Sequence, residues 1–186
     1  MSRVLTIALI FGIGGCVPSK EPRLTSDNPR LAVAERLIDA FYSFDPEALR
    51  SALSDAPASE PQLMYYQGWA EGGHYVVLTR RPCRIDTAHE VSCDITVKDD
   101  LITALKIGYD VTDTFHLTFS DGKIVNVRNS SNDPPQMDAA FKWLRRERPD
   151  IWSGPCRDFY AGGITPQDCV RAVVQGFAEF TARRTM

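Results

Sequence analysis

Asp113 is the side chain of this sequence with most to offer as a chemical group, because of its place in the run Asp113-Thr114-Phe115-His116-Leu117-Thr118-Phe119. Apolar and polar residues alternate there with period two, the pattern of a strand buried on one face. Asp113 falls in step with Phe115, Leu117 and Phe119. A carboxyl group desolvated on such a face keeps its proton to higher pH than in water and becomes competent as a general base near neutrality. Asn129, on the following strand, and Tyr42, Tyr65 or Tyr66 offer hydrogen-bond donors for a developing oxyanion. The structural alternative is that Asp113 lies at the open end of its strand, solvated or capping a turn. Tyr42, Tyr65, Tyr66 and Trp69 are also candidate ligand-binding residues, since aromatics combine large contact area with a polar handle. Trp143 and Trp152 belong to the same class, and aromatics at helical spacing are more often core.

Other chemistries lack their signatures. No His-Glu-x-x-His, Gly-x-Ser-x-Gly, phosphate-binding loop or EF-hand loop occurs. His74, His89 and His116 are scattered and never at metal-binding spacing, so neither a metal nor a cofactor is expected. His116, between Thr114 and Thr118, belongs to the polar face of its strand.

The elements that must position these groups are marked by periodicity. Pro29 to Tyr42 places Leu31, Ala34, Leu37, Ile38 and Phe41 on one helical stripe. Asp45-Pro46 caps a second, shorter helix through Leu53, and a third starts near Pro61 and ends at Gly72-Gly73. From His74 the period becomes two. Tyr75 to Arg84 predicts one strand, and Val91, Cys93, Ile95 and Val97 alternate with polar residues in the next. With Asp86 to Glu90 as the loop, Cys83 faces Cys93, and Arg81 faces Ile95, an uncomfortable neighbour for a cation. Leu101 to Lys106 reads as a helical turn ended by Gly108.

The hairpin after Ser120-Asp121-Gly122 has two candidate registers. A two-residue Asp-Gly loop sets Leu117 against Asn126 and Phe115 against Arg128. A three-residue loop with Gly122 in the left-handed bulge position pairs Leu117 with Val125, Phe115 with Val127 and Asp113 with Asn129. Only the second keeps one face apolar, so it is the expected one. Asp133-Pro134-Pro135 then opens a helix stopped by Pro149, and Thr165-Pro166-Gln167-Asp168 starts a last helix. Its stripe is Cys169, Ala172, Val173, Gly176, Phe177 and Phe180.

The first residues speak of export. Arg3 precedes an apolar run from Val4 to Ile13 that is too short for the ~20 residues of a spanning helix. Ile13-Gly14-Gly15-Cys16 resembles the bacterial lipobox, whose cysteine is diacylated and becomes the new N-terminus. The resemblance implies a signal peptide over residues 1–15 and a membrane anchor through lipid on Cys16. Residues 16–28 then form a tether, and Val17 after the cysteine implies forwarding to the outer membrane, facing the periplasm.

About 170 residues remain, enough for one domain with a sizeable core, expected over residues 29–186. The net charge of −3, with charges interspersed, argues against nucleic acid as a partner. Lys142 to Arg148, the one dense basic stretch, reads as a solvated helix face. After Cys16 an even set of cysteines remains: Cys83, Cys93, Cys156 and Cys169. Of three possible pairings the two local ones are favoured, Cys83 with Cys93 across a hairpin and Cys156 with Cys169 between a Gly/Pro-rich loop and the last helix.

Three helices followed by long antiparallel strands, including Asp113 to Val125, and a closing helix with Phe141 and Trp143 resemble the superfamily named after nuclear transport factor 2. That superfamily includes polyketide cyclases and ketosteroid isomerase. The resemblance spans about Pro29 to Trp143. It implies an α+β fold in which a curved antiparallel sheet wraps over N-terminal helices as a cone, here with a helical C-terminal extension from about residue 150. Proton-shuttling members of that fold imply the role of base for Asp113. The expectation is a lipid-anchored envelope protein that binds a small apolar ligand or a protein partner, with a cofactor-free proton-transfer enzyme as the alternative. An open cone with Asp113 pointing inward favours the enzyme, and a cone filled with side chains favours the binding module.

Overall fold

The computed structural model describes residues 28–159 and 163–184. The expected signal peptide, Cys16 and the expected tether as far as Asp27 lie outside the described residues. Helix α1 spans Pro29–Tyr42 and starts where the Asn28 side chain accepts from the Arg30 amide at 3.0 Å. Ala34, Leu37, Ile38 and Phe41 form its buried stripe, each full burial contributing ~1.5–3 kcal/mol for the larger side chains. Helix α2 is Pro46–Ala52, capped by Asp45. A single 3₁₀ turn, Pro57–Ser59, leads into α3, Glu60–Gly72. Gln67 of α3 is buried and its Nε2 donates to Ala40 O at 3.1 Å and Phe41 O at 3.0 Å. These carbonyls belong to the last turn of α1, beyond the reach of its i→i+4 ladder, and the bonds fix the end of α1 against α3.

The sheet is antiparallel, curved and five-stranded, giving an α+β fold. Its strands are β1 (Val76–Arg80), β2 (Arg84–Ile85), β3 (Glu90–Lys98), β4 (Val111–Ser120) and β5 (Lys123–Ser131). They run in the order β1-β3-β4-β5, with β2 also paired to β3. The single strand expected over Tyr75 to Arg84 is therefore two, parted around Pro82, which has no N–H to give to a ladder. Arg84 pairs with Ser92 and Ile85 with Val91, a register that continues to Cys83 opposite Cys93, and the Cys83–Cys93 bond is present. A shift between Val77 and Thr79 puts Arg80, in place of Arg81, opposite Ile95. Its guanidinium turns to α1 and is held by Glu35 at 2.6 Å and Asp39 at 2.5 Å, which resolves the awkward pairing of a cation with an apolar strand.

The β4–β5 register corrects the expected one. Asp121 and Gly122 both take left-handed φ, 50° and 77°, as a two-residue type I′ turn requires. Ser120 pairs with Lys123 and Phe119 with Ile124, and Val125 is then bulged out, so that Leu117 meets Val127, Phe115 meets Asn129 and Asp113 meets Ser131. One extra residue keeps the inner face apolar with Ile124 and Val127 buried, while Val125 is exposed. The preference for an apolar face is thus met by a tight turn followed by a bulge rather than by a longer turn.

Between β3 and β4 lies α4, Asp100–Leu105, capped by Asp99. After the sheet come α5 (Pro135–Glu147), α6 (Pro149–Ser153) and α7 (Gln167–Arg184). Helix α7 packs on α3, α4 and α5, and Val173, Phe177 and Phe180 join the same core as Phe41, Ile95, Phe115 and Leu117. The Cys156–Cys169 bond ties its first turn to the loop after α6. The segment before α7 lies close against α3: a Cβ on Gly68 would stand 2.5 Å from the Thr165 nitrogen, and Thr165 Oγ1 donates to Tyr65 O at 2.9 Å.

Candidate ligand-binding site

Asp113 reaches its position because β4 pairs it with Ile95 on one side and Ser131 on the other. That sets its carboxyl on the inner face of the sheet, where it is only 7% exposed. From the end of α1, Tyr42 Oη donates to Asp113 Oδ2 at 2.9 Å. The Tyr42 ring is fixed by edge contacts with Phe41 and Phe115, at centroid distances of 5.0 and 6.2 Å. The helix terminus clamped by Gln67 therefore delivers the donor.

A pocket of about 270 Å³ opens over this carboxyl, near the lower edge of the ~300–1,000 Å³ usual for small-molecule sites. Its sheet side is Asp113, Asn129, Ser130 and Ser131. Tyr65, Tyr66, Trp69 and Ala70 come from α3, Met137 and Phe141 from α5, and Phe41, Tyr75 and Asp133 complete the wall. Successive turns of α3 stack Tyr65 on Trp69, with centroids 6.2 Å apart and planes 26° apart, and Trp69 lies 6.1 Å from Phe141. Phe141 is backed in turn by Phe177 of α7 in an edge contact at 5.0 Å. The aromatic wall is thus built by three helices against one polar corner of the sheet.

Burial dominates the electrostatics. It pushes the Asp113 carboxyl up to about 7, the Tyr42 hydroxyl bond pulling back and the charges of Asp133 and Asp99 adding to the rise. Asp99, 2% exposed, is pushed to about 6 by the same loss of water. One of its oxygens accepts from the Ile102 amide at 2.8 Å as the cap of α4, while Oδ2 has no hydrogen-bond partner among the described residues. The phenols of Tyr42 and Tyr75 are both pushed up, first by burial and then by the neighbouring carboxylates. Near neutral pH the corner therefore holds a carboxyl able both to give and to take a proton.

No protein-family model matches this chain, and no curated protein sequence matches it.

Of the residues singled out from sequence, Asp113, Asn129, Tyr65, Tyr66 and Trp69 line one pocket, and Tyr42 touches it through Asp113. Asn129 arrives there although it faces Phe115 rather than Asp113 across the ladder. Trp143 and Trp152 do not line it. Trp143 packs on Phe180 and under Arg183, and Trp152 on Phe159 and under Arg145. His116 lies half-buried on the opposite face of the sheet, between Ser92 and Ser130. Tyr75, Asp133, Met137 and Phe141 were not anticipated as site residues. The only signal was Asp133-Pro134-Pro135, which announces a helix start but not where that helix lies.

Proposed function

We propose that this chain is a lipid-anchored protein of the cell envelope whose pocket binds a small molecule with an apolar body and a polar end. The observation that carries this reading is the buried Asp113 carboxyl at the floor of an aromatic-walled pocket. Burying a carboxyl without compensation costs several kcal/mol, and a ligand that hydrogen-bonds to it recovers part of that cost. The envelope location is supported by the leader ending at Cys16 and by two disulfides, which persist in oxidising compartments. The likeness to the nuclear transport factor 2 superfamily is supported by the order of elements, with helices first, a curved antiparallel sheet after them and a pocket between.

The depth of the sheet is packed with Phe115, Leu117, Ile95 and Val91, all fully buried, and the pocket lies at the end where Asp113 sits. Native mass spectrometry of the protein extracted from its own membranes tests the reading. A co-purifying small organic molecule, lost on Trp69→Ala, is expected. A bare mass, together with no response to any fragment added at millimolar concentration, overturns it.

A second reading, cofactor-free proton transfer of the isomerase or cyclase type with Asp113 as base, is favoured by one observation: a carboxyl at about 7 faces the pocket with Tyr42 as its hydrogen-bond donor. In that case Asn129, Tyr65 and Tyr66 surround the position where an oxyanion would form. Turnover abolished by Asp113→Asn, with a wild-type rate that rises through about pH 7, distinguishes catalysis from binding alone.

A further inference from the structure

We propose that the pocket takes a small organic ammonium cation, with its charge at Asp113 and Asp133 and its carbon body against Tyr65, Tyr66, Trp69 and Phe141. This rests on the reading of the pocket as a small-molecule site and names the chemical class that fits it.

The lining contains two carboxylates and no lysine, arginine or histidine. Every ionisable group that bears on Asp113 is itself acidic: Tyr42 from α1, Tyr75 ahead of β1, Asp99 at the cap of α4, and Asp133 ahead of α5. Arg80, whose charge acts on Tyr42, is already engaged by Glu35 and Asp39 of α1. An anionic ligand would meet like charge from Asp113, Asp133 and Asp99 in a poorly solvated corner. A neutral apolar ligand would cover Asp113 and cut its remaining access to water without supplying a counter-charge. A cation relieves both problems, because it pairs with the carboxylates and presents charge to aromatic faces, a contact worth ~0.5–2 kcal/mol.

A bare divalent metal fits less well. Hard cations take about six or more oxygen ligands, and among the described residues no group of three His, Cys, Asp or Glu side chains could hold a metal ion. The aromatic rings, idle in a metal site, are what an organic cation uses.

Three probes with one carbon skeleton separate the possibilities: benzylammonium, benzyl alcohol and benzoate, each titrated into the full chain purified in detergent. The ammonium should bind about tenfold tighter than the alcohol, and benzoate should be the weakest. Asp113→Asn and, separately, the exposed Asp133→Asn should each weaken the ammonium severalfold, and by more than they weaken the alcohol. Because the cation needs the ionised form of Asp113, its affinity should fall about tenfold from roughly pH 8 to pH 6. Equal binding of alcohol and ammonium, or preference for benzoate, overturns the cation assignment and leaves the pocket as a site for neutral or anionic molecules. Binding of none of the three at millimolar concentration counts against both this inference and the reading beneath it.

Discussion

Asp113→Asn should make the folded protein more stable at alkaline pH while changing little in acid. The substitution keeps the shape of the side chain and an oxygen that accepts from Tyr42 Oη, and it removes the ionisation. In the wild type the carboxyl titrates near 3.8 when unfolded and at about 7 when folded. Between these values the native state holds a proton that the unfolded chain has released, so stability falls as pH rises. The contribution of the neutral carboxyl is complete below about pH 4, declines through the window and is lost once pH passes about 7. Each pH unit well inside the window is worth ~1.4 kcal/mol and less as pH nears 7, so from about pH 5 to about pH 7 the wild type loses ~2 kcal/mol at this one group. A domain of this size has only ~5–15 kcal/mol in total. Asp99, pushed to about 6, titrates in both proteins and largely cancels. Urea unfolding of both proteins, with disulfides intact, at about pH 5, 6, 7 and 8 reads the gap directly, and the variant should gain ~3 kcal/mol on the wild type across that range. A gap that stays flat or narrows with pH would refute the claim that this carboxyl is desolvated.

Replacing either cystine by two serines should lower stability by ~3 kcal/mol, since the bonds close short loops with separations of 10 and 13 residues; an unchanged urea midpoint counts against this. Gly68→Ala should cost ~1–3 kcal/mol, because its Cβ meets the Thr165 backbone and Ile164 Cγ2 at 2.5 Å. Hydrogen exchange should show the loss in the segment before α7 and in the first turn of that helix, and unaltered protection there would contradict the packing described. Cys16→Ser should move the protein from the membrane to the soluble fraction of the envelope, and continued sedimentation with membranes would remove the lipid anchor from the account.

Much of the architecture was legible because local rules sufficed. Pro29 and the stripe through Phe41 set the bounds of α1, alternation from Val91 to Val97 set β3, and Thr165-Pro166 announced α7. Both disulfides followed from local geometry. The β4–β5 register did not, because the choice between burying Ile124 or Val125 is not local. The Ser59 hydroxyl, 68 residues away in sequence, accepts the Val127 amide at 2.8 Å, and a bulge at Val125 brings that amide to it. The site was half legible for the same reason. Asp113 and the α3 aromatics announce themselves by strand phase and helical spacing, whereas Tyr75 enters the wall from the turn between α3 and β1, and Asp133, Met137 and Phe141 from α5 and the segment before it, placements that only the tertiary fold decides. Trp143 and Trp152 share their chemistry with Trp69, and only the tertiary arrangement separates them.

The most direct test of the ligand-binding account is a fragment screen followed by NMR on the isotope-labelled protein. The account predicts that bound fragments shift the Trp69 indole N–H and the Asn129 side-chain amide together, and that the Trp143 and Trp152 indoles stay still. Shifts spread over the outer face of the sheet around His116, with Trp69 and Asn129 unmoved, would contradict it.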